Sequence, residues 1–128
     1  MLGRWDLIST NPRILVDSAH NEGGMRLVVE QLRKMPYRQL HIVMGMVNDK
    51  DLQPIFELLP REARYYFAKA NIPRGLDAQQ LCAKATDAGL KGRAYSSVRN
   101  ALRAAKRNAG SQDLIFVGGS VFVVAEVV

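Results

Sequence analysis

The chain has 128 residues, which is most simply one domain, and that length can bury a core without disulfide staples. Nearly half of it is apolar (48%), yet no run nears the roughly 18 residues of a membrane helix, and Met1-Leu2-Gly3-Arg4-Trp5 lacks the apolar stretch of a secretory signal. Its one cysteine, Cys82, excludes an internal disulfide and fits a reducing cytoplasm, and the net charge of +6 is dispersed apart from Arg99, Arg103, Lys106 and Arg107.

The first apolar run, residues 5–8, is expected to form a hairpin with residues 14–16 across Ser9-Thr10-Asn11-Pro12. Residues 14–16 are apolar without alternation, as strands covered on both faces are. Asp17-Ser18-Ala19-His20-Asn21 follows, with Asn21 placed to cap a helix that buries Met25, Val28, Val29 and Leu32. Pro36 stops that helix, and residues 40–44 read as the next strand. After Gly45-Met46-Val47-Asn48-Asp49-Lys50-Asp51, a second helix carries Leu52, Ile55, Phe56 and Leu59, with Asp51 as N-cap, Pro54 in the first turn and Pro60 as stop.

A strand is expected at residues 65–67. The third helix starts at a capping box, Asp77 with Gln80, and carries Ala78, Leu81, Cys82 and Ala85 inward, which makes Cys82 a buried thiol. Gly89 ends it, and a weak strand falls at residues 93–95. Ser96 or Ser97 caps a fourth helix with Val98, Ala101, Leu102 and Ala105 inside and the four clustered cations outside. Gly110 precedes a last strand at residues 114–117, and after Gly118-Gly119-Ser120 a fifth helix begins in residues 121–128. Strict strand–helix alternation implies an α/β, Rossmann-like three-layer domain over residues 1–128. Its mostly parallel sheet has five or six strands, with helices on both faces. Both ends of the chain look cut, so an excised domain rather than a whole protein is expected.

In such a sheet, ligands bind outside the carboxyl ends of the strands. Asp17 can accept from a ribose, hold a cation or cap the next helix. His20 can hold a carboxylate or be a satisfied structural residue; no second His or Cys stands at ligand spacing, so no metal site is expected. Gly118-Gly119-Ser120 can let backbone approach an anion at a helix start. No G-x-x-x-x-G-K-[ST] and no G-x-G-x-x-G occurs, so the chain lacks its own triphosphate cradle. Asp49-Lys50-Asp51 can contact ligand or be a solvated turn, and Arg74, between Pro73 and Gly75, can reach a phosphate or simply be exposed.

Taken in order, Gly3-Arg4, Asp17-Ser18-Ala19-His20-Asn21, the stretch from Gly45-Met46 to Asp49-Lys50-Asp51, and Gly118-Gly119-Ser120 resemble the C-terminal domain of folylpolyglutamate synthase/dihydrofolate synthase, of the Mur ligase superfamily. Glu22 stands where that family usually has proline. The resemblance implies a longer parent whose N-terminal ATPase part carries the P-loop and most magnesium ligands, with a further domain for the pterin. It implies that Arg4 contacts ATP phosphates and Asp17 the ribose, while His20 and Ser120 lie near the incoming glutamate. Asn21, Asp49, Lys50, Asp51 and Arg74 would support the site. The implied cofactors are ATP and Mg2+, and the partners are L-glutamate, folate or dihydropteroate and the ATPase domain of the same chain. Neither nucleic acid nor membrane is expected as a partner, the location is cytoplasmic, and the isolated domain would be inactive. Two other readings use the residues alone: a free-standing anion-binding module, and a nucleic-acid binder working through Arg99, Arg103, Lys106 and Arg107.

Overall fold

In the computed structural model, residues 5–48 and 51–128 are described. Six strands form one sheet in the order β1-β2-β6-β3-β4-β5. β1 (Asp6–Thr10) and β2 (Arg13–Asp17) make the expected antiparallel hairpin, turning at Asn11-Pro12, where Ser9 Oγ donates to the Pro12 carbonyl oxygen at 2.6 Å. The peptide bond between Asn11 and Pro12 is cis. Every other pairing is parallel: β2 with β6 (Leu114–Gly118), β6 with β3 (Leu40–Met44), β3 with β4 (Arg64–Phe67) and β4 with β5 (Lys91–Ala94).

The helices divide between the two faces as the periodicity requires. α1 (Glu22–Arg33), α2 (Gln53–Leu58) and α3 (Ala78–Asp87) bury Met25, Val28, Leu32, Ile55, Phe56 and Leu81 against Leu15, Ile42, Phe67 and Phe116. α4 (Val98–Asn108) and α5 (Val121–Ala125) cover the other face, over Ile14, Val16, Val43, Ile115 and Val117. Successive strand residues point to opposite faces, so Ile14, Leu15 and Val16 feed both cores. This is the doubly covered strand that its unbroken apolar run implied.

Asn21 caps α1 as expected, its Oδ1 accepting from Gly24 N at 2.9 Å, and Ser97 rather than Ser96 caps α4. Asp77 Oδ2 accepts from Gln80 N at 3.1 Å, the Asp half of the proposed box. Other expectations need correcting. The N-cap of α2 is Leu52, not Asp51, although Asp51 Oδ1 accepts from Gln53 N at 3.2 Å one residue earlier in the turn. Cys82 is only partly buried, because it sits where α3 overhangs the edge strand β5, its Sγ 3.6 Å from the Gly92 carbonyl oxygen. The edge strand β5 runs over Lys91–Ala94 rather than 93–95, although Tyr95 N continues its ladder by donating to Phe67 O at 2.8 Å.

Candidate ligand site at the carboxyl edge

The chain reverses direction across the sheet around β6. β2 and β3, its neighbours on either side, lead into α1 and α2 on one face, while β6 itself leads into α5 on the other. Loops that leave adjacent strand ends toward opposite faces open a crevice, the place where α/β sheets bind ligands. Asp17 ends β2 and Gly118 ends β6, and the two are register partners; Met44, at the end of β3, pairs with Gly118 from the other side.

Asp17 is buried, with 6% of its surface exposed, and its Oδ1 accepts from Ala19 N at 2.8 Å. That is the single hydrogen bond of its side chain among the described residues, and it turns the carboxylate over the start of the loop to α1. His20 is exposed at the mouth of the same loop. Its Nδ1 lies 3.4 Å from the Ser18 carbonyl oxygen, a long contact that leaves Nε2 without a partner among the described residues. Asn21 is occupied by its capping bond. Across the crevice, Ser120 is 3% exposed and caps α5, its Oγ accepting from Val123 N at 3.1 Å. A hydroxyl that accepts in this way still has a proton to donate.

The glycines here serve the protein before any ligand. A Cβ on Gly118 would stand 2.6 Å from the Phe116 ring and 2.9 Å from Asp17 O. Gly119 has a φ of +104°, and a side chain there would run into the Gly45 carbonyl. Close packing of three strand ends therefore demands these glycines, whatever the backbone there meets.

The loop after β3 is laid against the loop after β4. Val47 bridges Gly75, Asn48 N donates to Arg74 O at 2.7 Å, and Leu76 N donates to Met46 O at 2.8 Å. Arg74 is thereby held at the same edge, its guanidinium carbon 6.0 Å from the centre of the Phe122 ring, two residues beyond Ser120. Glu126 fastens the far side, accepting from Asn71 N at 2.7 Å. Asp17, His20, Asn21, Arg74 and Ser120 thus share one edge, with exposed Asp51 at the start of α2. Arg4, Asp49 and Lys50 lie outside the described residues. No group of three potential metal-ligating side chains lies together among the described residues.

Residues 3–121 match the family model of the Mur ligase glutamate ligase domain. The chain belongs to the Mur ligase glutamate ligase domain family. A probable bifunctional folylpolyglutamate synthase/dihydropteroate synthase of Haloferax volcanii is 35% identical over 127 residues, which cover 97% of this chain and 15% of that protein. The Escherichia coli FolC structure in complex with DHPP and ADP superposes with a TM-score of 0.86 at 29% identity, over 99% of this chain and 30% of that one. A bifunctional folylpolyglutamate synthase/dihydrofolate synthase with Mn, AMPPNP and L-glutamate bound has a TM-score of 0.86 at 32% identity, over 99% and 30%. This glutamate ligase domain therefore spans less than a third of the length of the relatives it matches.

Sequence reasoning missed one buried polar cluster at the opposite edge. His41 Nε2 lies 2.9 Å from Asp113 Oδ2, and His41 Nδ1 lies 2.8 Å from the Tyr66 hydroxyl, which also accepts from Asn108 Nδ2 at 3.2 Å. His41 and Asp113 are 72 residues apart in the chain. Nothing local announces their contact.

Proposed function

We propose that this chain is the C-terminal domain, over residues 1–128, of a longer ATP-dependent ligase that adds L-glutamate to folate or dihydropteroate. The observation that carries this reading is the meeting of two family motifs at one point. Asp17, from the Asp-x-Ala-His-Asn stretch, and Gly118, from Gly-Gly-Ser, are register partners where the sheet order reverses. The ligands named with the similar enzymes, ADP with DHPP and AMPPNP with Mn and L-glutamate, are of the kinds this reaction needs.

In this reading the pterin-bearing carboxylate attacks the γ-phosphorus of ATP, giving an acyl phosphate and ADP. The glutamate amine then attacks the acyl carbon, an amide C–N bond forms, the C–O bond to phosphate breaks, and the amine loses a proton. Magnesium, when bound, neutralises charge on the transferring phosphoryl group, and its ligands belong mainly to the rest of the enzyme. Asp17 accepts from the ribose hydroxyls; a buried carboxylate already steered by Ala19 N suits that role. His20 donates from its ring to a glutamate carboxylate, and Ser120 donates its hydroxyl proton to the same substrate. Arg4 binds ATP phosphates, while Asn21, Asp49, Lys50, Asp51 and Arg74 brace the surrounding loops. The domain supplies closure and orientation and has no ligase activity by itself. A cytoplasmic location fits both the ATP requirement and the single free thiol of Cys82; no helix among the described residues is long and apolar enough to cross a membrane.

The full-length protein, incubated with ATP, Mg2+, labelled glutamate and either dihydropteroate or a reduced folate, should form labelled amide product. ADP and phosphate should be released in equal amounts with it. ATP hydrolysis without glutamate incorporation on either acceptor overturns the proposal.

A further inference from the structure

The β4–β5 side of the sheet carries a concentration of charge that glutamate ligation leaves unused. Arg64 opens β4 and Lys91 opens β5, and they are register partners; Tyr66 and Arg93 are partners two residues further on. Partners in a parallel pair project to the same face, as do residues two apart along a strand. Arg64, Lys91 and Arg93 therefore stand together on the face where Tyr66 packs beneath α4. α4 lies over β3, β4 and β6. The edge strand β5 is left with exposed Lys91 and Arg93 on that side.

These groups line a hollow of about 610 Å³, with Tyr95 and Asn108 as walls. The Tyr66 and Tyr95 rings, 5.8 Å apart, form its apolar side, and the Tyr66 hydroxyl is pinned by His41 and Asn108. Arg61 is also present but is turned to the Ala88 carbonyl oxygen. The one acid in the lining, Glu62, faces Arg33 at 4.0 Å. Arg64, Lys91 and Arg93 have no side-chain hydrogen bond or ion pair among the described residues.

Like charges set opposite each other on neighbouring strands weaken a sheet. Here no acidic side chain among the described residues forms an ion pair with them. Adjacent strands are about 4.8 Å apart and two residues along a strand span about 6.6 Å, so three cations fall within reach of one small, multiply charged anion. Two of them are guanidinium forks, which match phosphate oxygens.

We propose that this hollow is an anion site for a ligand carrying adjacent phosphate groups, an oligophosphate chain. It runs along β4 and β5 from Arg64 and Lys91 to Arg93 and Tyr95, and none of Asp17, His20, Asn21, Arg74 or Ser120 lines it, so it is separate from the residues proposed to hold nucleotide and glutamate.

The test is calorimetric titration of the 128-residue chain with inorganic tripolyphosphate in low salt. Citrate serves as a trianion without phosphate. Tripolyphosphate should bind, and citrate should bind at least about tenfold more weakly. The triple variant R64Q/K91Q/R93Q should lose about tenfold or more in affinity, and Arg93→Gln alone about threefold. The triple variant R99Q/R103Q/K106Q, which removes the same charge from the outer face of α4, should stay within about twofold. All of these side chains are exposed, so each variant should keep a cooperative thermal transition. Absence of binding, equal binding of citrate, or equal losses in the two triple variants overturns the proposal. None of those results bears on glutamate ligation at the carboxyl edge.

Discussion

Asp17 and Gly118 end neighbouring parallel strands and face each other in register. That pairing ties the acid of one loop to the backbone of the other: a Cβ added at Gly118 would stand 2.9 Å from Asp17 O. The two segments, about a hundred residues apart in sequence, form one wall.

Gly119 should be the least tolerant position of that wall. Alanine there meets both a φ of +104° and the Gly45 carbonyl. Gly119→Ala is expected to cost about 1–3 kcal/mol or more in unfolding free energy, read by urea denaturation of the chain. Wild-type stability in the variant would mean that the three strand ends are not packed as described.

Ser120 has a structural role that can be separated from any substrate role. Ser120→Ala removes the cap of α5 and should cost about 1 kcal/mol. Ser120→Asp restores an acceptor for Val123 N and should recover much of that stability, while placing a negative charge beside the proposed glutamate site. In the full-length enzyme, Ser120→Asp should therefore be the poorer of the two in glutamate affinity despite being the more stable. A substrate role for Ser120 is contradicted if KM for glutamate tracks stability alone.

The His41–Asp113 pair gives the fold an acid-sensitive contact. Burial by itself would raise the Asp113 pKa, but the Gly110 N–H and the His41 ring outweigh it and hold the carboxyl below its ordinary 3.8. A carboxylate with a depressed folded-state pKa stabilises fully above its unfolded value and loses that contribution as pH falls through the folded one. Stability should therefore decline below about pH 4, and Asp113→Asn should flatten that decline while lowering stability at neutral pH. Urea unfolding followed across the acid range reads both effects.

The parts legible in the sequence were those written in local pattern. The apolar spacing of Met25, Val28, Val29 and Leu32 and the unbroken run through Ile14, Leu15 and Val16 each point to one packing solution, and both are found buried. Motif residues at strand ends were legible for the same reason, since strand ends in an α/β alternation lie on one edge. β5 was displaced because Lys91, Gly92 and Arg93 carry little apolar signal, as suits an edge strand. Cys82 follows a helical stripe into a place where the sheet runs out, so periodicity alone overstated its burial. The glycines after β6 could be seen, but not their cause: the Gly45 carbonyl that excludes a side chain at Gly119 comes from a different loop. His41, Tyr66, Asn108 and Asp113 meet only through the tertiary fold.

The division of labour along the carboxyl edge is the central claim, and steady-state kinetics of the full-length enzyme test it most directly. Asp17→Ala should raise KM for ATP by about tenfold or more while leaving KM for glutamate within about twofold, and His20→Ala should do the reverse. Wild-type turnover and unchanged KM values in both variants would contradict the account.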